Sequence, residues 1–451
     1  MLNKKRILVL GDTGTCATGF GTLLRNILFQ IAQNPEYEIT QIGINYDGDF
    51  YDREKFPYKI YPAAPMGQGD LYGLQRLLFA LSGNDKSIFP PFDIVFTVQD
   101  HFILEQIANQ LKELQEKYKE NNIKSFKWVS YFPVDSELKE NWVSTIIKPD
   151  YPVVYTDYAL NECEKYDYLF SDVSRIQKIY HGVNTKDFYC LPQNEKTENR
   201  KKIFHGIENI ERKFIVMNIN RNQERKDIMR SMIVFKEFKK YVPQAFYYLH
   251  MSAQDVGGNI NEMARELNLK IGEDYAYPNN FNANQGFPVE VLNRIYNCAD
   301  MLITTTLGEG WGFSLTEAMA ARVLCVGPNI TSIPEIFNSK NVKTIKEIEN
   351  SQSIRGIPVI SGKTLTEHIY LGHDHERKRP IVNIEDMVEK MIWCYNNQEK
   401  TKPIIERAYN WIQELKWENI GRQWGYLFKK IIEDIEKEKK ENNKNADDNR
   451  K

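Results

Sequence analysis

Short apolar runs alternate along this chain with longer stretches in which apolar residues return every three or four positions. Residues 6–10, 37–44, 92–97, 127–131, 151–155 and 176–180 read as strands, and 23–32 and 104–121 as amphipathic helices. A polar, charged stretch at 191–212 interrupts the pattern and reads as a linker. The alternation then restarts, with strands at 214–219, 245–251 and 299–303 and helices at 226–240 and 288–298. Such alternation implies mostly parallel, helix-covered sheets. Two doubly wound units in tandem are therefore expected, with ligands beyond the carboxyl ends of their strands. A helical tract at 384–427 carries Trp393, Trp411, Trp417 and Trp424, and the mixed charge run at 433–451 is expected to fray and stay disordered.

A length of 451 residues suits two or three domains. The formal net charge is −2 with acids and bases interspersed, so no overall polyanion-binding surface is expected. Six cysteines are scattered without a Cys-x-x-Cys pair, which points to a reducing compartment rather than a disulfide framework or a structural zinc site. The first strand begins too soon for a secretory leader, and no apolar run approaches a membrane span. A soluble, cytoplasmic protein is the expectation.

The most informative stretch runs Glu309-Gly310-Trp311-Gly312-Phe313-Ser314-Leu315-Thr316-Glu317-Ala318-Met319-Ala320. A strand leads through a tight glycine turn into a helix, which aims backbone N–H groups and the positive end of the helix dipole at one point. A phosphate fits there. The two carboxylates, eight positions apart, can accept hydrogen bonds from sugar or ribose hydroxyls. Ser314-x-x-Glu317 also has the form of a capping box, a role that can coexist with ligand binding. A second glycine-rich turn, Gly11 to Gly21, follows the first strand without forming a clean dinucleotide fingerprint. Arg221 and Lys226 follow the first strand of the second unit, where cations at a helix start are unfavourable unless an anion meets them. Arg225 is a substitute for either.

These segments resemble the signature of the family-4 retaining glycosyltransferases of the GT-B fold (glycosyltransferase group 1). That pattern is Glu, Gly, aromatic, Gly, then Glu-Ala-Met-Ala eight positions after the first Glu, and it is matched here through Ala320; Gly327 to Ile336 resembles the strand and loop that follow. The resemblance implies an α/β GT-B fold with two Rossmann-like domains facing a cleft. Residues 1–195 would bind the acceptor, 213–405 the nucleotide sugar, and helices in 406–432 would cross back to the first domain. It implies retaining transfer of a sugar from a UDP- or GDP-sugar to a hydroxyl, with no metal and no cofactor beyond the donor itself. Glu309 would contact the donor sugar, and the backbone of Gly310, Trp311, Gly312, Phe313 and Ser314 would cradle sugar and phosphate. Glu317 would hold the ribose, Arg221 and Lys226 would neutralise the departing diphosphate, and Gly19 and Gly21 would border the donor. His181-Gly182-Val183-Asn184 with Phe188 resembles the element that shapes the interdomain hinge, and Tyr275, Tyr277 and Pro278 lie where the base is expected.

One departure is chemical. Many members place a His after a central strand of the first domain, near the donor sugar; Asp135 takes its place here. A carboxylate there can accept a hydrogen bond from a hydroxyl, or a proton from the acceptor if its pKa allows. Asp100-His101 is a second acceptor-side candidate. His373-Asp374-His375 lacks a matching Cys or Glu ligand and reads as a solvated loop. Two rival functions stay open: a nicotinamide-dependent oxidoreductase using the Gly11 to Gly21 loop with Asp47 on the ribose, and a non-catalytic GT-B binding module. The acceptor could be a glycan, a lipid-linked sugar, a metabolite, a protein or a hydroxylated DNA base, the last disfavoured by the near-neutral charge.

Overall fold

The structure is a computed structural model that describes residues 4–64, 69–83, 89–121, 123–279, 281–282 and 286–448, with side chains through 441. The first sheet contains β1 (Lys5–Asp12), β2 (Tyr37–Ile44), β3 (Lys59–Pro62), β4 (Ile94–Val98), β5 (Lys127–Phe132), β6 (Tyr151–Val154) and β7 (Gln177–Lys178), in the order β3-β2-β1-β4-β5-β6-β7. Every pairing in it is parallel. The second begins at β8 (Phe214–Ile219) and β9 (Ala245–His250). After a small hairpin, β10 (Gln254–Asp255) with β11 (Gly258–Asn259), it continues with β12 (Tyr275–Ala276), β13 (Met301–Ile303), β14 (Leu324–Pro328) and β15 (Ile357–Val359), in the order β12-β9-β8-β13-β14-β15. It too is parallel throughout. Helices cover both faces of each sheet, so the central strands are unbroken apolar runs; β4 and β9 are buried along their whole length.

Three apolar cores result. Two are outer, one on the far face of each sheet. The third is continuous: it includes Ile7, Val9 and Phe96 of the first sheet, Trp311 at the junction, and Ile215, Leu302 and Cys325 of the second. The hinge is tight at Gly182, where an added Cβ would lie 2.4 Å from the Trp417 ring. The next residue, Val183, donates its N–H to the Leu415 carbonyl at 2.8 Å.

Three differences from the expected elements have physical reasons. Strand β3 is a four-residue edge strand ending in Pro62, too short to show a period. The stretch read as a linker holds a helix, Gln193–Ile203, none of whose residues is buried, so it has no apolar face to announce it. The tail expected to be disordered continues the helix Trp417–Asp448. Its acids meet first-domain partners: Glu436 pairs with Lys5 at 2.8 Å, Asp434 accepts from the Tyr151 hydroxyl, and Glu438 pairs with Lys127. Ile431 and Ile435 are buried between them. Residues 449–451 of that run lie outside the described residues. Beyond β15 the chain forms an antiparallel hairpin, β16 (His368–Tyr370) and β17 (Lys378–Pro380). Among the described residues, no helix is long and apolar enough to cross a membrane.

Candidate active site

The carboxyl ends of β8 and β13 bring Lys226 and Glu309 together. A short 3-10 turn, Glu224–Lys226, precedes Asp227, whose left-handed φ of +46° turns the chain into the helix Ile228–Tyr241. The threonines after β13 stitch this turn down: Thr305 Oγ1 donates to the Asp227 carbonyl at 2.8 Å, and Leu307 N–H donates to the Arg225 carbonyl at 2.8 Å. The Lys226 ammonium then donates to Glu309 Oε1, and Arg225 Nη1 lies 3.6 Å from Oε2. Lys226 and Glu309 are both buried. Burial alone would raise the Glu309 carboxyl, but Lys226 and Arg225 outweigh it and hold it below its usual value. Burial also lowers Lys226, with Glu309 opposing. Glu309 is therefore a carboxylate at neutral pH, with the Lys226 side chain as its nearest partner.

Arg221 is not part of this cluster. Its guanidinium is half exposed and pairs with Asp255 of β10 at 2.9 Å. Arg225 occupies the position beside Glu309 instead. The signal was present in the sequence: Asp227 before an apolar-periodic run is an N-cap, which starts the helix at 228 and leaves Arg225-Lys226 in the turn that faces the cleft.

The glycine turn closes at Gly312, with φ +109°, and the helix Phe313–Ala320 starts there without any side-chain cap. The capping box suggested by Ser314 and Glu317 does not form. Glu317 instead accepts from the Tyr296 hydroxyl at 2.7 Å, and burial pushes its carboxyl up to about 7. The Trp311 side chain is buried against Tyr180 and His181, each at 5.3 Å between ring centroids, so only the backbone of that residue can face a ligand. Across the cleft, an added Cβ on Gly19 would sit 3.9 Å from the Phe313 ring. One on Gly286 would meet the Ala17 Cβ at 2.8 Å. The two glycine-rich turns therefore face each other. Gly21 serves the loop rather than the cleft: a Cβ there would strike Cys16 Sγ at 2.6 Å. Tyr275 and Tyr277 both hydrogen-bond Asn261 Oδ1, at 2.9 and 3.2 Å, tying the β12 edge to its neighbouring helix.

The first domain contributes carboxylates. Asp135, after β5, is met by three arginines: Arg377 at 2.8 Å, Arg379 at 3.3 Å and Arg225 at 3.4 Å. Burial would raise its carboxyl, but Arg379, Arg225 and Arg377 hold it well below the usual range. It cannot take a proton from an acceptor near neutral pH, and the general-base option weighed for it is set aside. Asp100, after β4, goes the other way. Burial and the neighbouring Asp135 charge push it up to about 7. His101 turns inward against Trp142 at 4.9 Å, and burial pushes it down to about 4. His181 is likewise buried, stacked on Phe313 at 4.9 Å, and burial keeps it neutral.

Arg377, Arg379 and Asp374 carry no signal as a motif, yet strand alternation places 377 and 379 on one side of the hairpin. Their loop is solvated at Gly372, His373, His375 and Glu376, as expected, but Asp374 turns inward to bond Arg379 Nε at 2.6 Å, and one face of the His375 ring packs on Phe102 at 4.6 Å. Among the described residues, no group of three or more His, Cys, Asp or Glu side chains is placed to hold a metal.

Superposition on solved structures settles the architecture. Sucrose-phosphate synthase from Thermosynechococcus elongatus superposes with a TM-score of 0.68 at 14% identity, covering 95% of this chain and 99% of that one. The fold is GT-B. Two further GT-B structures agree. The catalytic domain of starch synthase IV from Arabidopsis thaliana, bound to ADP and acarbose, gives a TM-score of 0.64 at 12% identity over 96% of this chain and 100% of that one. Anabaena HepE in complex with UDP and glucose gives 0.62 at 12% identity over 94% and 99%. Residues 199–356 match the family model of glycosyl transferases group 1, as the signature suggested. No curated protein matches the chain. The match ends before the arginine hairpin begins.

Proposed function

We propose that this GT-B chain is a retaining glycosyltransferase that moves a sugar from a nucleoside diphosphate sugar to a hydroxyl acceptor. The observation that carries the reading is the buried Lys226–Glu309 pair, with Arg225 beside it, set between two facing glycine turns. Breaking the bond between sugar and diphosphate builds negative charge on the leaving phosphate. Fixed cations aimed there are worth roughly 10²–10³ in rate each. Glu309, ionised and held from behind by the Thr331 hydroxyl, which its N–H meets at 3.0 Å, is placed to oppose positive charge at the anomeric carbon. The N-terminus of Phe313–Ala320 offers its open N–H groups to a phosphate. Glu317, half protonated near neutral pH, can both donate to and accept from a ribose hydroxyl pair.

A complex of Anabaena HepE with UDP and glucose supports a uridine donor by analogy of fold. The test is a thermal-shift panel of UDP, GDP, ADP, their sugar conjugates and NAD. A ligand at about 100 times its Kd adds about 2.7 kcal/mol of stability. One nucleotide and its sugar conjugate should shift the melting temperature together, and NMR of the product should show the donor's anomeric configuration kept. A shift with NAD alone would sink the reading. The second reading, a binding module, is favoured by the locked Asp135; it predicts the same shift with no turnover on any acceptor.

A further inference from the structure

Four cations crowd the centre of the cleft, and they are not equally committed. Arg379 is fully buried between Asp135 and Asp374, and it also donates to the Asp135 carbonyl. Arg377 bonds Asp135, Asp374 and, at 3.0 Å, Ser136 Oγ. Lys226 is spent on Glu309. Arg225 is the most exposed of the four, at 26% against 10%, 9% and 0% for Lys226, Arg377 and Arg379, and its carboxylate contacts are the longest, 3.4 and 3.6 Å. Its remaining bond is to the Gly308 carbonyl.

The hairpin decides this ranking. Without it, Arg225 and Lys226 would face Asp135 and Glu309, two cations against two carboxylates. Asp135 would then have Arg225 as its sole arginine, and a buried carboxylate with one partner holds that partner closely. To this cluster the hairpin adds two guanidiniums and one carboxylate, Asp374, which gives four cations against three carboxylates, with the part-ionised Asp100 facing Arg377 and Arg225 from the first domain. The hairpin is pinned to the first domain by further contacts. Lys139 pairs with Glu376 at 3.1 Å, His375 packs on Phe102 at 4.6 Å, and the Arg377 guanidinium lies 5.5 Å from the centre of the Trp142 ring.

We propose that Arg377 and Arg379 are positioning residues: by satisfying Asp135 they release Arg225 to meet the diphosphate of the donor. The proposal rests on the glycosyltransferase reading. It assigns the β16–β17 hairpin, which lies outside the matched family segment, a part in donor binding without touching the donor.

The test is calorimetric titration of the full chain with UDP, GDP and ADP, in wild type, Arg377→Met, Arg377→Lys, Asp135→Asn and the double variant Arg377→Met/Asp135→Asn. Arg377→Met should weaken whichever nucleotide the wild type binds by about tenfold, and Arg377→Lys by less than about threefold. The double variant should recover wild-type affinity, because Asp135 then no longer competes for Arg225. An unaffected Arg377→Met variant would overturn the proposal, and so would a double variant no better than Arg377→Met alone, which marks a purely structural role. If Arg377→Met does not fold by circular dichroism, Asp135→Asn alone decides: binding as tight as wild type or tighter supports the proposal, and looser binding overturns it. Wild type that binds none of the three removes the glycosyltransferase reading and this proposal with it. Wild-type binding with an indifferent Arg377→Met removes only the proposal.

Discussion

The two sheets are built alike, but their carboxyl edges carry opposite chemistry. The first domain presents acids there, Asp12 at the end of β1, Asp100 after β4 and Asp135 after β5. The second presents Arg225 and Lys226 after β8, with Glu309 as their internal partner, and sends Arg377 and Arg379 across on the hairpin. Neither edge is a site by itself. The second domain has the groups that would meet a diphosphate. The first has carboxylates of split protonation: Asp135 is held ionised by second-domain arginines, while burial and the Asp135 charge push Asp100 up to about 7 against the pull of Arg377 and Arg225. The charge on Asp135 is thus set by residues that the second domain delivers.

The largest expected effect falls on the second edge. Glu309→Gln should remove transfer to below detection, a loss of at least about 10³, with an unchanged circular dichroism spectrum; normal turnover would refute the site. Arg225→Ala should cost roughly 10²–10³ in kcat/KM, whereas Arg221→Ala, on an exposed pair with Asp255, should stay within about threefold. Reversal of that order would restore the family spacing over the geometry seen here.

An intermediate effect is expected where the edges touch. A Cβ on Gly308 would lie 2.1 Å from the Asp135 carbonyl. Gly308→Ala should therefore force the domains apart, raising KM for the donor by about tenfold and increasing the radius of gyration in solution scattering. An unchanged radius would show that the contact is not needed for closure.

The smallest effect isolates the first edge. The unfolded chain loses the Asp100 proton near 3.8, while the folded protein keeps it to about 7. The stability contributed by the protonated form is complete below about pH 4 and is lost as pH rises through 7. Asp100→Asn, which cannot ionise, should melt a few degrees above wild type at pH 8, with the gap narrowing toward pH 5. A gap independent of pH would assign the difference to packing.

Much of this was legible before any coordinates. Strands buried on both faces announce themselves as apolar runs, so β1, β2, β8 and β9 fell within a residue or two of their expected bounds. Lys226 and Glu309 are each legible as cleft residues from the turns that carry them, but their ion pair is not, because it joins two turns 83 positions apart. Arg221 was misplaced because spacing does not report which way a turn points; the Asp227 cap does. The arginine hairpin was invisible for a different reason. Its partners Asp135 and Ser136 are more than two hundred positions away, and only the closing of one domain on the other brings them near.

The helix Trp417–Asp448 has a consequence for synthesis. Trp424 sits between Phe96 and Tyr131 at 5.2 and 4.8 Å, and Phe428 packs on Tyr37. The inner face of the first sheet is thus sealed by residues translated only after the whole second sheet. On the ribosome, β4 and β5 emerge with part of their apolar face open and keep it so until the helix Trp417–Asp448 clears the exit tunnel. The first domain is begun before the second and finished after it.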